Sequence, residues 1–150
     1  MRIAIINGPN LNLLGRREPN IYGTRSMEQV LVDIQHAYPD LYLEYRQSNH
    51  EGDLIDWVQD IGLLSICDGQ YDGIILNAGG YTHTSVALRD AVACCQLPVV
   101  EVHISDIAQR EAFRQVSLLT DVCVHAIIGK GGDGYMLAVE WIMNRITETV

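Results

Sequence analysis

Lysine is almost missing from this chain of 150 residues. Of its ten lysine and arginine residues, nine are arginine, and Lys130 is the sole lysine. Arginine stays protonated and offers a planar fork to carboxylates, whereas an imine can form only on an amine such as that of lysine. Catalysis through a lysine imine would therefore depend on Lys130 alone, inside the glycine-rich segment 129–134.

The spacings that bind metals or form redox pairs are missing too. The histidines show no HExxH motif and the cysteines form no CxxC pair, so we expect no catalytic metal. No glycine-rich phosphate loop follows the first predicted strand, where Asn-Gly-Pro-Asn stands instead. We interpret the cysteines as small buried hydrophobic residues in a reducing cytoplasm: Cys67, Cys94, Cys95 and Cys123.

Long apolar runs and a basic surface are also missing. No apolar run approaches the roughly 20 residues needed to cross a bilayer, and the short run at 3–6 predicts a strand, not a secretory signal. A net charge of −9 weighs against binding to nucleic acid or to anionic membranes. With 48% hydrophobic residues, we expect one globular cytoplasmic domain over residues 1–150.

Short apolar runs alternate with longer helical patterns along the whole chain. The predicted strands cover 3–7, 41–47, 73–77, 98–102 and 122–128. The predicted helices cover 26–38 with a capping box of Ser26 and Gln29, then 51–67, 85–95, part of 107–118, and 133–147. Five βα units predict a flavodoxin-like three-layer α/β/α sandwich with a parallel sheet in the order 2-1-3-4-5.

Polar segments follow the predicted strands at the edge where such sheets bind ligands. The switch point of this strand order lies between the first and third strands, so Asn7–Gly23 and Asn77–Ser85 should border one crevice. Asn, Gly and Pro also form ordinary turns, and a loop as long as the first is either functional or disordered. Arg16, Arg17 and Tyr22 favour function, with a mobile lid over about residues 12–23.

Tyr22 and Arg17 suit the roles of a base and the cation that stabilises it. A phenol ordinarily has a pKa near 10 and is a poor base at neutral pH. A guanidinium within a few ångströms favours the phenolate, which can remove a proton from carbon. The alternative is an exposed loop with a solvated pair of arginines, and the spacing alone does not separate the two.

A second group lies at the end of the fourth strand. Alternation puts Glu101, His103 and Ser105 on one side of the chain, so Glu101 can orient His103 as a general acid. Backbone N–H groups of Ile104 and Ser105, leading towards a helix, can bind a carboxylate. The alternatives are a structural histidine at His103, a capping-region histidine at His83, and surface arginines at Arg110 and Arg114, which we expect on one helix face.

Taken together, the motifs resemble the type II 3-dehydroquinate dehydratases over nearly the whole chain. The order and spacing carry the resemblance more than any one fragment. The fragments are Asn7-Gly-Pro-Asn-Leu-Asn-Leu-Leu-Gly, Arg17-Glu-Pro, Tyr22-Gly, Gln47-Ser-Asn, Glu51-Gly, Asn77-Ala-Gly-Gly, Thr82-His-Thr-Ser-Val-Ala-Leu-Arg-Asp90, Glu101-Val-His-Ile-Ser105, Arg110-Glu-Ala-Phe-Arg114 and Gly134-Tyr.

The resemblance implies conversion of 3-dehydroquinate to 3-dehydroshikimate by trans elimination of water through an enolate, without metal or organic cofactor. It does not separate aromatic biosynthesis from quinate breakdown. Tyr22 would be the base at C2 and Arg17 would hold it as tyrosinate. A water on Asn10 would stabilise the enolate. His103, oriented by Glu101 and close to Asn77, would protonate the leaving hydroxyl.

The same resemblance implies how the substrate is held. The backbone of Ile104 and Ser105 would bind its carboxylate, and His83, Asn77 and Arg114 would contact its other polar groups. Asp90 would come from a neighbouring subunit, because the family assembles trimers into dodecamers. Asp106, His125 and Lys130 depart from the expected pattern. Asp106 would weaken anion binding unless its carboxylate points away.

Two other classes of protein share the expected fold. A flavin- or nucleotide-binding module would need a hydroxyl- and glycine-rich phosphate loop after the first strand, which this chain does not have. A noncatalytic interaction protein would not need the set Arg17, Tyr22, Asn77 and His103.

Overall fold

The chain forms a five-stranded parallel sheet in the computed structural model, which describes residues 1–16, 18–64 and 70–149. The strands are β1 (Arg2–Asn7), β2 (Tyr42–Gln47), β3 (Gly73–Asn77), β4 (Val99–His103) and β5 (His125–Ile128). Their order is β2-β1-β3-β4-β5, and every neighbouring pair is parallel. The predicted fold class and strand order are confirmed.

Helices connect the strands and cover both faces of the sheet. They are α1 (Pro19–Tyr22), α2 (Met27–Ala37), α3 (Glu51–Gln59), α4 (Val86–Cys94) and α5 (Asp133–Thr149). Short 3-10 turns lie at Leu11–Leu13, Gly79–His83, Ile107–Gln109, Ala112–Arg114 and Thr120–Val122. Within the described residues, none of the helices combines the length and apolar character needed to cross a membrane.

The side chains of β1 show why the sheet needs a layer on each face. Ile3 and Ile5 belong to the hydrophobic cluster that contains residues of α2 and α5, and Ile6 belongs to the cluster of α3 and α4. Successive residues of a strand point to opposite faces of the sheet. A strand without polar residues therefore needs a packed layer of helices on each face. Each such side chain contributes about 1.5–3 kcal/mol when it is fully buried.

Helix α2 begins where the sequence predicts. The Ser26 hydroxyl accepts from Gln29 N over 3.3 Å, and Gln29 Oε1 accepts from Ser26 N over 2.9 Å. These two bonds satisfy N–H groups that the first turn of a helix leaves unpaired. The helix ends at Ala37, two residues before Pro39, so the predicted capping box and stop are both confirmed.

The segment from Glu51 to about Cys67 was predicted to be helical, and it is helical as far as Leu64, although not regular throughout. Regular α3 ends at Gln59, and Asp60–Leu64 forms a wider π-helical turn. Gly62 packs directly on Cys95, whose sulfur occupies the place of a Cβ, and the Gly62 carbonyl accepts from Gln96 N over 3.0 Å. This contact draws the carbonyl away from the helical pattern. Cys67 lies outside the described residues.

The cysteines are less buried than expected. Cys94 is exposed, whereas Cys95 and Cys123 are half-buried, and all three thiols are free. The buried residues of α4 are Leu88, Ala91 and Val92, and Cys94 is on the opposite side of the helix. The interpretation of all four cysteines as buried is therefore wrong at Cys94.

The fifth strand starts later than predicted. Thr120–Val122 is a 3-10 turn, and β5 begins only at His125. Leu119 anchors this turn in the core with no exposure. The turn brings Ser117 and Thr120 against the end of β4, where both contact the Glu101 carboxylate.

Candidate active site

A crevice of about 160 Å³ lies at the carboxyl ends of β1, β3 and β4. The register aligns Asn7 of β1 with Asn77 of β3, at the predicted switch point. The predicted residues that line this crevice are Asn10, Tyr22, Asn77, His83, His103, Ile104, Ser105 and Arg114. Leu11, Leu14 and Ile107 add apolar surface, and Arg110 adds a second cation.

His103 is held from behind by a buried carboxylate. Its Nε2 lies 2.7 Å from Oε1 of Glu101, which has no exposure. A carboxylate only accepts hydrogen bonds, so Nε2 carries the proton and Nδ1 is left for the crevice. Burial opposes ionisation of Glu101, but hydrogen bonds from His103, Ser117 and Thr120 outweigh it and lower the pKa of Glu101.

Asn77 is fixed by a second buried network. Its Nδ2 donates to Tyr135 Oη over 2.9 Å, and its Oδ1 accepts from Gly79 N over 3.2 Å. The Tyr135 hydroxyl in turn donates to Asn7 Oδ1 over 2.9 Å. Burial raises the pKa of Tyr135, so the phenol remains a neutral donor. With both ends engaged, the amide of Asn77 has one orientation towards the crevice.

His83 reaches the crevice from the turn after β3. Its Nδ1 lies 2.8 Å from the carbonyl oxygen of Val116. Because a carbonyl only accepts, Nδ1 carries the proton, and Nε2 of the neutral ring is an acceptor. His83 is therefore suited to receive a hydrogen bond from a ligand hydroxyl.

Tyr22 comes from the short helix α1 and is half-buried against the crevice. Nη1 of Arg110 donates to Tyr22 Oη over 3.1 Å and to Ser105 Oγ over 3.2 Å. The bond to Tyr22 raises the pKa of Arg110. A guanidinium that donates to a phenol oxygen favours the phenolate, so this wall of the crevice pairs a potential base with a cation.

The whole chain compares closely with known proteins. The family model of dehydroquinase class II matches residues 1–143. The chain belongs to the class II dehydroquinase family. The family resemblance read from the motifs is thereby confirmed, and it replaces the flavin- or nucleotide-binding alternative.

Individual relatives agree in length as well as in sequence. A 3-dehydroquinate dehydratase from Halothermothrix orenii is 51% identical over 148 residues, covering 97% of this chain and 95% of the relative. One from Exiguobacterium is also 51% identical, covering 93% and 92%. The crystal structure of a type II dehydroquinase from Butyrivibrio crossotus has a TM-score of 0.86 and 43% identity, covering 95% of this chain and 97% of that one.

Arg110 is the site residue that the sequence reasoning missed in this class II dehydroquinase. The cation predicted beside Tyr22 was Arg17, which lies outside the described residues. A signal was available, because Arg110 follows β4 by only a few residues. The expectation that Arg110 and Arg114 share a helix face is wrong. Arg110 is extended, with φ −90° and ψ −178°, between two separate 3-10 turns.

The structure corrects the prediction of a helix after the carboxylate site, and it shows where the Asp106 carboxylate points. Ile104 and Ser105 line the crevice, but the element after them is a three-residue 3-10 turn. Its dipole is too short to resemble that of a helix. Asp106 caps this turn by accepting from Ala108 N over 3.1 Å and from Gln109 Nε2 over 2.8 Å. The Asp106 carboxylate is thus used locally and does not line the crevice.

Asn10 stands at the turn after β1 in a left-handed conformation, with φ 68°. Its N–H donates to Asn49 Oδ1 over 3.0 Å, and Gln47 Nε2 donates to the Gly8 carbonyl over 3.2 Å. Residues from the end of β2 therefore hold the turn. The Asn10 side chain makes no capping bond, consistent with the role predicted for it towards a ligand.

Asp90 is the predicted site residue that its own chain does not bring to the crevice. It lies on α4 and is not among the lining residues.

Residues 12–23, the predicted lid, include part of the turn at Leu11–Leu13 and all of helix α1. Lid motion remains a prediction.

Proposed function

We propose that this chain acts as a 3-dehydroquinate dehydratase, which eliminates water from 3-dehydroquinate to form 3-dehydroshikimate. Membership of the class II dehydroquinase family supports this reaction. The observation that carries the proposal is the pairing of Tyr22 with Arg110 and of His103 with Glu101 around one crevice. The two pairs suit the removal and the return of a proton.

The first step is removal of the C2 proton. Tyr22, as phenolate, takes this proton, and the electron pair of the C–H bond moves towards the C3 carbonyl to form an enolate. Arg110 stabilises the phenolate from one side, and Arg17 is proposed as a second cation. A water held by Asn10 donates a hydrogen bond to the enolate oxygen as its negative charge develops.

The second step expels the C1 hydroxyl. The enolate electrons form the C1–C2 double bond while the C1–O bond breaks. His103, which carries a proton on each ring nitrogen at this step, gives its Nδ1 proton to the departing oxygen while Nε2 stays bonded to Glu101. Hydroxide alone leaves poorly, so this protonation is essential. The products are water and the conjugated enone, and transfer of a proton from Tyr22 to His103 through solvent restores the starting state.

The remaining residues hold the substrate. The N–H groups of Ile104 and Ser105 bind its carboxylate, while His83, Asn77 and Arg114 bind its carbonyl and hydroxyl groups. An anionic polyol requires an anion site and several oriented donors. This chain supplies both from rigid backbone at the ends of β3 and β4.

A neighbouring copy completes the site in this proposal. Asp90 would enter the crevice of the next subunit in a trimer, and four trimers would form a dodecamer. Val86, one turn before Asp90 on α4, is 59% exposed, and Phe113 and Val116 beside the crevice are 71% and 65% exposed. Large apolar side chains grouped around a polar site mark an interface between proteins.

Exchange of the C2 proton separates the two steps. Tyr22→Phe should lose both turnover and solvent exchange at C2 while still binding substrate. His103→Ala should lose turnover by about 100- to 10,000-fold but keep the exchange. Enone absorbance measures turnover, and NMR in D₂O measures exchange. Undiminished exchange in Tyr22→Phe, or a wild-type protein inactive on 3-dehydroquinate, would contradict the proposal.

Subunit mixing tests the role of Asp90. Asp90→Ala and Tyr22→Phe proteins should each be nearly inactive when refolded alone. Refolded together in equal amounts, they should recover about one quarter of wild-type sites, because a random neighbour then supplies the missing side chain. If the mixture gains no activity although each protein assembles, Asp90 does not act across the interface. Light scattering that finds an active monomer leads to the same conclusion.

A further inference from the structure

The Glu101 carboxylate has more hydrogen-bond donors than its pairing with His103 requires. Oε1 accepts from His103 Nε2 over 2.7 Å and from Ser117 Oγ over 2.5 Å, and Oε2 accepts from Thr120 Oγ1 over 2.6 Å. All three donors are side chains, and Glu101 itself has no exposure. Ionising a buried carboxylate costs several kcal/mol unless such donors replace its water.

The hydroxyl of Ser117 can point in only one direction. Its oxygen accepts from Leu119 N over 3.0 Å and from Thr120 N over 3.2 Å. These two N–H groups occupy its acceptor positions, so its single proton goes to Glu101. The backbone turn therefore orients the donor.

Thr120 approaches the carboxylate from the surface. The residue is exposed, yet its Oγ1 lies 2.6 Å from Glu101 Oε2. Thr120 is the outermost member of a chain of hydrogen bonds that runs from the protein surface to the crevice. The order of this chain is Thr120, Glu101, His103 and then substrate.

We infer that Thr120 and Ser117 are positioning residues that keep Glu101 anionic and aimed at His103, so that His103 is ready to protonate the leaving hydroxyl. This inference rests on the proposed function and extends it to two residues outside the crevice. Neither residue lines the crevice, and the side-chain hydroxyls of both contact the Glu101 carboxylate.

The sign of the pH effect follows from the charges around Glu101. In the described part of the chain, two titratable groups face it: His103 on the same strand and the Cys123 thiol. Burial and then the charge of Glu101 raise the pKa of Cys123 to about 12, so this thiol stays neutral. The pKa of Glu101 is lowered, so elimination should fall relative to C2 exchange as pH falls through that value. Removing a donor should move this fall to higher pH.

The matched variants are Thr120→Val and Thr120→Ser. Valine keeps the shape of the side chain and loses the hydroxyl, whereas serine keeps the hydroxyl and loses a methyl group. For Thr120→Val we expect kcat to fall about three- to tenfold, and the acid limb of the ratio of elimination to C2 exchange to rise by up to about one pH unit. C2 exchange itself, which depends on Tyr22, should keep the wild-type rate over the same pH range. Thr120→Ser should behave like wild type in both assays.

Three outcomes would overturn the inference. The first is Thr120→Val with an unchanged kcat and acid limb. The second is an equal loss in Thr120→Val and Thr120→Ser, which would point to packing by the methyl group. The third is a parallel loss of elimination and C2 exchange. Each is read against an active wild type, whereas a wild type that does not dehydrate 3-dehydroquinate would overturn the proposed function itself.

Discussion

Replacing Arg110 with methionine should slow the proposed reaction by removing a cation from Tyr22. Nη1 of Arg110 donates to Tyr22 Oη over 3.1 Å, and the Arg110 side chain is only 15% exposed. A guanidinium at this distance, partly screened by water, attracts a phenolate by about 1–2 kcal/mol. Because about 1.4 kcal/mol corresponds to a tenfold change, turnover should fall about five- to thirtyfold.

Measurements at saturating substrate identify the cause of the loss. Because Arg110 contacts Tyr22, Arg110→Met should lower both kcat and the rate of C2 exchange. Enone absorbance measures the first rate, and NMR in D₂O measures the second. Arg110→Lys should lose less, because it keeps the positive charge, although its shorter side chain places the amine further from Tyr22.

Arg145→Met is the matched control. Arg145 lies over the Trp141 ring, 5.4 Å from its centroid, on α5, so its loss removes one positive charge away from the crevice. A loss in Arg110→Met that is confined to KM, with kcat unchanged, would refute the electrostatic argument and assign Arg110 to substrate binding. An equal effect in Arg145→Met would show that net charge, not the contact with Tyr22, is responsible.

Three further variants or treatments test other parts of the structure. Tyr135→Phe should destabilise the fold by about 1–3 kcal/mol in urea unfolding, because Asn7 Oδ1 and Asn77 Nδ2 each lose their hydrogen bond to Tyr135; an unchanged midpoint would contradict this. Gly8→Ala should reduce folded yield and activity, since a Cβ there meets the backbone of Ala78, whereas Gly52→Ala, with open space around it, should be tolerated. Borohydride with substrate should leave the enzyme active, because Lys130 does not line the crevice; covalent trapping on Lys130 would refute the tyrosinate mechanism.

The sheet was predictable because its signal is local. β3 is a run of buried apolar residues as far as Asn77, and β4 buries three valines beside Glu101 and His103. Short apolar stretches of this kind predict a strand without knowledge of its partners. The capping box at Ser26 is local too, since its donors and acceptors lie three residues apart. Once the order of the strands is known, the residues that follow β1, β3 and β4 must meet. This is why most predicted site residues do line the crevice.

Contacts between distant segments were not predictable in the same way. Arg110 reaches Tyr22 across 88 residues of sequence, from a position between two short turns where no period repeats. Ser117 and Thr120 lie 16 and 19 residues beyond Glu101. The sequence pattern predicted only a partly helical segment at 107–118 and no element at Thr120. Irregular backbone puts these hydroxyls in place, and hydrophobic periodicity does not describe irregular backbone.

The two sides of the crevice are built in different ways. His103 and Asn77 stand on strands, and each is held by a fully buried group, Glu101 or Tyr135. Tyr22 stands on a four-residue helix, packs against the hydrophobic cluster of α2 and α5, and accepts a hydrogen bond from Arg110. An isolated helix of that length has no stability of its own, so the position of Tyr22 depends on these tertiary contacts. The side chains of His103 and Asn77 are therefore positioned by the sheet, whereas Tyr22 is positioned by contacts between irregular segments.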